Sequence, residues 1–176
     1  MRIVIINHTF QEERYYKRWQ LFASDHKDID VTLLAPESWT WGSGRDLTYG
    51  KSYEQCGNSI DLDNFHIKLF SVEQNKYLGW SSKSMMDLLE RLNPDIIYYI
   101  GVHTNEALMQ ILRHKNKFDH AKVIAFSMRG HQHSVHFRYD SNPIQFIKHT
   151  GFYLLQKSRI AFLNRKCDAI FCHYNK

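Results

Sequence analysis

Short apolar runs, each closed by a polar or proline/glycine turn, recur along this chain. Ile3-Val4-Ile5-Ile6 is the first, rich in β-branched residues and without alternation, the pattern of a strand covered on both faces. Val31-Thr32-Leu33-Leu34-Ala35 is the second, stopped by Pro36, which has no amide donor for a ladder. Residues 65–72 form a third strand, with Phe65, Ile67, Leu69 and Ser71 alternating against His66, Lys68 and Phe70. Residues 95–100, 121–127 and 168–172 complete a set of six.

Between the strands the period changes to that of a helix. In 12–25, Tyr15, Trp19, Phe22 and Ala23 fall on one face, with Glu13, Arg14, Lys17 and Arg18 largely elsewhere. In 82–92, Met85, Met86, Leu88, Leu89 and Leu92 point inward, and Asn93-Pro94 ends the helix. Residues 106–115 bury Ala107, Leu108, Ile111 and Leu112 behind an Asn105 cap. Pro143 suits the first turn of a long aromatic and basic segment reaching Arg165, capped by Asn142 or Ser141. Residues 39–58 hold four glycines and two tryptophans and read as a long loop with room for a short antiparallel excursion. Strands alternating with helices predict one α/β domain over 1–176, a doubly wound, mostly parallel sheet with helices on both faces.

Composition narrows the class. A chain of 176 residues with 43% hydrophobic content supports one real core, and 14% aromatic content makes that core rich in large side chains. The net charge of +5, with 11 histidines besides, suits anionic ligands: phosphates, a membrane surface or nucleic acid. An ordinary basic surface gives the same balance. Nucleic-acid binding rests on charge alone and is not expected. Three cysteines without metal spacing predict a reducing compartment, and Met1 leads into the first strand with no leader pattern, so a cytoplasmic location is expected. No apolar run reaches the roughly 20 residues of a membrane span.

Candidate chemistry gathers in the polar turns after three strands: His8-Thr9, His103-Thr104-Asn105, and Arg129-Gly130-His131 with His133. Ligands of open parallel sheets bind beyond the carboxyl ends of strands. Arg129 has the fork geometry for phosphate or carboxylate, and Gly130 lets a ligand approach the backbone. No metal is expected, since His131 and His133 lack a third ligand at suitable spacing. The glycine-rich dinucleotide fingerprint is missing, because NHTFQEERY follows the first strand. The phosphate loop and the serine elbow are missing too.

In order and spacing, MRIVIINHTF, VTLLAPESW, LNPDIIYY, FSMRGHQH and RKCDAIFCHYNK resemble the N-terminal domain of family 4 glycosyltransferases. The resemblance covers nearly the whole chain. It implies the Rossmann-like half of a GT-B fold, the acceptor side of a retaining, nucleotide-sugar-dependent enzyme of hexosyl transfer. It implies that a C-terminal donor-binding domain, absent from this chain, holds the nucleotide sugar, so that 1–176 is inactive alone and needs no cofactor. Its partners would be the donor and a glycan or lipid-linked acceptor. Arg129, Gly130, His131 and His103 would stand at the cleft, with His8 and Thr9 on its floor. Arg129 occupies the position where the family often has histidine, so it would supply charge and not a base. QEERYYKRW replaces the family's frequent Gly-Gly loop.

The resemblance also gives the basic segment a role as a contact to an anionic membrane through Lys148, Lys157 and Arg159, peripheral to its inner face. A connecting helix with a solvated basic face reads equally from the residues. The alternative to a glycosyltransferase is a free-standing Rossmann-like module that binds a phosphorylated small molecule. A response regulator is disfavoured, because NHTF and GVHT lack its acidic cluster.

Overall fold

The computed structural model describes residues 1–7, 13–37, 39–40, 52–53, 59–75, 79–101, 105–118, 120–127, 139 and 141–172. The predicted strands are β1 (Arg2–Ile6), β2 (Asp30–Pro36), β6 (Phe65–Phe70), β9 (Ile96–Gly101), β10 (Lys122–Ser127) and β11 (Ala169–Cys172). The predicted helices are α1 (Glu13–Asp25), α2 (Lys83–Leu92), α3 (Glu106–Arg113) and α4 (Pro143–Lys166). Three short antiparallel pairings lie between them. β3 (Trp39–Thr40) pairs β4 (Ser52–Tyr53) inside the long loop, β5 (Ile60–Leu62) pairs β6, and β7 (Glu73–Asn75) pairs β8 (Gly79–Ser81).

The main sheet has seven strands in the order β11-β10-β9-β1-β2-β6-β5, parallel throughout except for β5 at the edge. Counting only the parallel strands in chain order, the sequence across the sheet is 6-5-4-1-2-3. That is the order of doubly wound nucleotide-binding sheets, whose direction of winding reverses between the first and fourth strands. In this chain those are β1 and β9, paired directly with Ile6 beside Tyr99.

Two apolar layers sandwich the sheet. On one face α2, α3 and the end of α4 cover Val4, Ile6, Leu34, Ile97, Tyr99, Val123 and Ala125. On the other, α1 brings Tyr15, Trp19, Phe22 and Ala23 onto Ile5, Leu33, Ala35 and Ile67. The face-to-face split follows the alternation within each strand: Val4 and Ile6 go one way, Ile5 the other. Beside α1, over β9–β11, an open apolar groove of about 240 Å³ remains, lined by Ile3, Trp19, Ile96, Tyr98, Ile124 and Phe171 among others.

Local signals explain the ends of the helices. Ser82 Oγ accepts from the Met85 amide at 2.9 Å at the start of α2, and Asn93 ends it in a left-handed conformation, φ 44°. Asn142 Oδ1 accepts from Ile144 and Gln145 ahead of α4, with Pro143 in the first turn. α3 is shorter than its periodicity predicts. It ends at Arg113 and tightens into a 3-10 turn, Lys115–Phe118, that drives Phe118 into the core. β6 also stops early, at Phe70, and Phe70 is buried where the alternation set it among the polar positions. The reason is the β7–β8 hairpin, which covers that face with Trp80, stacked 5.5 Å from the Phe70 ring.

At the amino edge of the sheet two carboxylates latch neighbouring strands. Asp95 accepts from the Arg2 amide at 2.6 Å, and that bond holds its carboxyl below the usual carboxylate range. Asp168 accepts from the Val123 amide at 2.7 Å. Burial raises the Asp168 carboxyl, but Lys115, the Val123 amide and Lys122 outweigh it and hold it low.

Candidate functional site

The carboxyl edge is arranged differently. β10, β9 and β1 are consecutive in the sheet, with Ser127 beside Gly101 and Ile6 beside Tyr99. The segments expected to carry the chemistry leave from these three neighbouring ends, after Asn7, after Gly101 and after Ser127. His8, Thr9, His103, Arg129, Gly130, His131 and His133 themselves lie outside the described residues. What the fold provides is their frame.

The floor of that frame is rigid. Asn7 is 2% exposed, and its backbone amide donates to Leu34 O at 3.2 Å, tying the exit of β1 to β2. Tyr99 lies fully buried under the end of β9, where burial pushes its hydroxyl far above the usual phenol range. It is neutral at any physiological pH. A Cβ on Gly101 would stand 3.2 Å from the Tyr99 ring, so the last residue of β9 leaves space for that ring. Trp80 continues the layer, 6.3 Å from Tyr99.

One wall is the start of α3, sealed by the β7–β8 hairpin. Asn105 Oδ1 accepts from the Ala107 amide at 3.1 Å as an N-cap, and from the Trp80 amide, also at 3.1 Å. A single carboxamide therefore closes the helix and fastens the hairpin. Gly79 meets it so closely, at φ +86°, that an added Cβ would lie 2.7 Å from Asn105 Oδ1. Gln110 Oε1, one turn on, accepts from the Ser82 amide at 3.2 Å. Sequence reasoning anticipated the Asn105 cap but missed the hairpin. The Gly79 position, between a strand and a Ser-capped helix, was the available signal for it.

The start of α3 carries a carboxylate that is itself paired. Glu106 sits in the first turn of α3 and takes two guanidinium partners, Arg113 from its own helix and Arg159 from α4. α1 likewise carries Glu13 in its first turn. A carboxylate there complements the positive end of the helix and repels a second anion. The start of α3 is therefore not a bare phosphate cradle.

Arg159 corrects an expectation. Instead of facing a membrane with Lys148 and Lys157, it is 6% exposed and is ion-paired with Glu106. The Glu106 carboxylate at the top of α3 draws it inward, because a buried guanidinium needs a counter-charge. Lys148 and Lys157 are exposed on α4, Lys157 with its ammonium 5.5 Å from the centre of the Tyr153 ring. Cys167, the described free cysteine, is half-buried, and its thiol donates to backbone carbonyls of Val123 and Ala169, within β10 and β11. Burial raises that thiol, which favours its neutral form. Among the described residues no cluster of three His, Cys, Asp or Glu side chains stands ready for a metal ion, and no helix is long and apolar enough to cross a membrane.

Fold and frame define the class: a Rossmann-like α/β domain whose winding reverses between β1 and β9, the place where such sheets bind ligands. No protein-family profile matches the sequence, and no curated protein is significantly similar to it.

Proposed function

We propose that this chain is the acceptor-binding half of a retaining, nucleotide-sugar-dependent glycosyltransferase that transfers a hexosyl group. Arg129, Gly130, His131 and His103 bind the acceptor at the crevice, and His8 and Thr9 form its floor. The acceptor is a glycan or a lipid-linked sugar, and the protein works at the cytoplasmic side, peripheral to the membrane. The nucleotide sugar is a substrate held by a separate donor domain, without which transfer does not proceed. A fold of this kind does not fix a function, so the reading leans on the site.

One observation carries it. Three neighbouring strand ends lead into segments of polar sequence, while the helices that follow two of them carry a carboxylate in the first turn. Such a crevice suits a hydroxyl-rich ligand reached by side chains better than a diphosphate cradled by backbone amides. Arg129 then anchors a hydroxyl or anionic group of the acceptor through its fork.

Calorimetric titration of the chain with uridine and guanosine diphosphate hexoses, and with glycan and lipid-linked acceptors, tests this. Acceptor should bind and nucleotide should not. Arg129→Ala should weaken acceptor binding by roughly 10- to 100-fold, the effect of losing a charged hydrogen bond. Tight one-to-one binding of nucleotide by this chain alone would overturn the reading in favour of a free-standing module for a phosphorylated ligand.

A further inference from the structure

α4 packs the wrong way round for a helix on a globular domain. Its buried positions are Gln156, Arg159 and Leu163, two of them polar. Four of its outward positions are large and apolar: Ile144 is 64% exposed, Ile147 69% and Leu154 60%, with Leu155 at 37%. With 3.6 residues per turn, these four fall within an arc of about 100°. Gly151 lies in the same arc, and nothing stands within 4 Å of where its Cβ would be. Water gains nothing from such a stripe, and a monomeric soluble surface rarely shows one.

The charges say what covers it. From Pro143 to Lys166 the helix has five Lys and Arg and no Asp or Glu. Lys148 borders the stripe on one side, Lys157 lies beyond it on the other, and Arg165 continues it at the carboxyl end. Tyr139, 77% exposed, stands edge-on to Phe146 at 5.8 Å beside the first turn. An apolar strip bordered by lysines, with an aromatic at its end and no acid, matches the boundary between acyl chains and anionic headgroups. A protein partner of the usual mixed charge would not require a helix without a single carboxylate.

We infer that the outward face of α4 docks this protein on an anionic lipid bilayer, with Ile144, Ile147, Leu154 and Leu155 entering the headgroup boundary and Lys148 and Lys157 holding lipid phosphates. The helix lies in the plane of the membrane and does not cross it. This deepens the peripheral placement proposed above by naming the surface, but its test is independent of sugar transfer.

The test is cosedimentation of the 176-residue chain with vesicles of phosphatidylcholine alone and of phosphatidylcholine mixed with phosphatidylglycerol. Binding should require the anionic lipid and fall as salt rises. The double variant Ile147→Gln/Leu154→Gln should reduce partitioning at least tenfold, given the apolar area it withdraws (roughly two side chains). Lys148→Gln/Lys157→Gln should reduce it by roughly fivefold per charge. All four residues are exposed, so thermal unfolding should be unchanged in both variants. Absence of binding to the anionic vesicles, or binding that both variants retain, overturns the inference. So does a solution dimer of the wild-type chain that Ile147→Gln/Leu154→Gln dissociates, since a second copy would then be the cover. Because no acceptor or donor is involved, loss of vesicle binding and loss of acceptor binding report on the two proposals separately.

Discussion

Replacing Glu106 should cost much more than replacing Arg159, although the two form one ion pair. Arg159 is 6% exposed, and the carboxylate it faces belongs to the first turn of α3. Glu106→Gln keeps the shape of the side chain and removes its charge, taking from a guanidinium that is 6% exposed the carboxylate it pairs with. Breaking one side of a buried pair in this way costs about 3–5 kcal/mol. Arg113, half-exposed, returns to solvent without much loss. In Arg159→Met the buried position receives an apolar side chain of similar length, and Glu106 keeps Arg113. That change should cost about 1 kcal/mol or less, since an apolar replacement for a buried charge is often neutral. Urea unfolding measures both. For a domain of this size, 3 kcal/mol lowers the melting temperature by roughly 6–12 °C. The double variant should recover most of the stability lost in Glu106→Gln, which a double-mutant cycle reads directly. Equal losses in the two single variants, or a loss below about 0.5 kcal/mol in Glu106→Gln, would refute the argument that burial of Arg159 dictates the pair.

Two further outcomes follow from the frame of the crevice and the opposite edge of the sheet. Gly79→Ala forces a side chain into the left-handed region and against the Asn105 carboxamide, so it should destabilise by about 2 kcal/mol and speed proteolysis between β7 and α3; unchanged cleavage would show that the hairpin is not fastened there. Asp168 has its carboxyl held low in the folded protein, so its contribution is present above the ordinary carboxylate range and is lost as pH falls through its folded value. Asp168→Asn should therefore lower the melting temperature at pH 7 by a few degrees (about 1 kcal/mol) and matter progressively less as pH falls below the ordinary carboxylate range; an effect that stays constant with pH would exclude the ionised form as the cause.

Most of the fold was legible because its strands are covered on both faces. Continuous runs such as Ile3–Ile6 and 121–127 admit few other readings, and the caps at Asn105, Asn142 and Asn93 carry their own local chemistry. The β7–β8 hairpin was not legible. Gln74 and Asn75 carry no strand signal, and the hairpin exists because Trp80 finds a place between Phe70 and Tyr99, a contact made by the sheet order and not by neighbours in sequence. The burial of Arg159 was hidden for the same reason. Its basic neighbours suggested a solvated face, and only the meeting of α4 with the first turn of α3 turns it inward. The residues of the turns were legible as chemistry, and their strand ends as neighbours, but Arg129, His131, His103, His8 and Thr9 lie outside the described residues.

The helix starts sharpen what those turns would be asked to do. A domain that holds a diphosphate usually offers it a bare helix N-terminus behind a glycine turn, so that amides and the helix field share the charge. Here Asn105 takes the Ala107 amide of α3 and Glu106 comes next, and α1 has Glu13 in its first turn. An anion at the start of α3 would find a carboxylate in the first turn and no bare helix end. The charge of Glu106 is neutralised by Arg113 and Arg159 and not by anything that a ligand brings. A ligand rich in hydroxyls needs no bare helix end, since it can donate to carboxylate and carbonyl oxygens as readily as it accepts from a guanidinium. If Arg129 anchors one end of such a ligand, exchanging Glu106 for Gln should do little to acceptor affinity beyond its effect on folding. It should instead relax the exclusion of nucleotide, and measurable nucleotide binding by the Glu106→Gln chain, where the wild type shows none, is the outcome this argument requires.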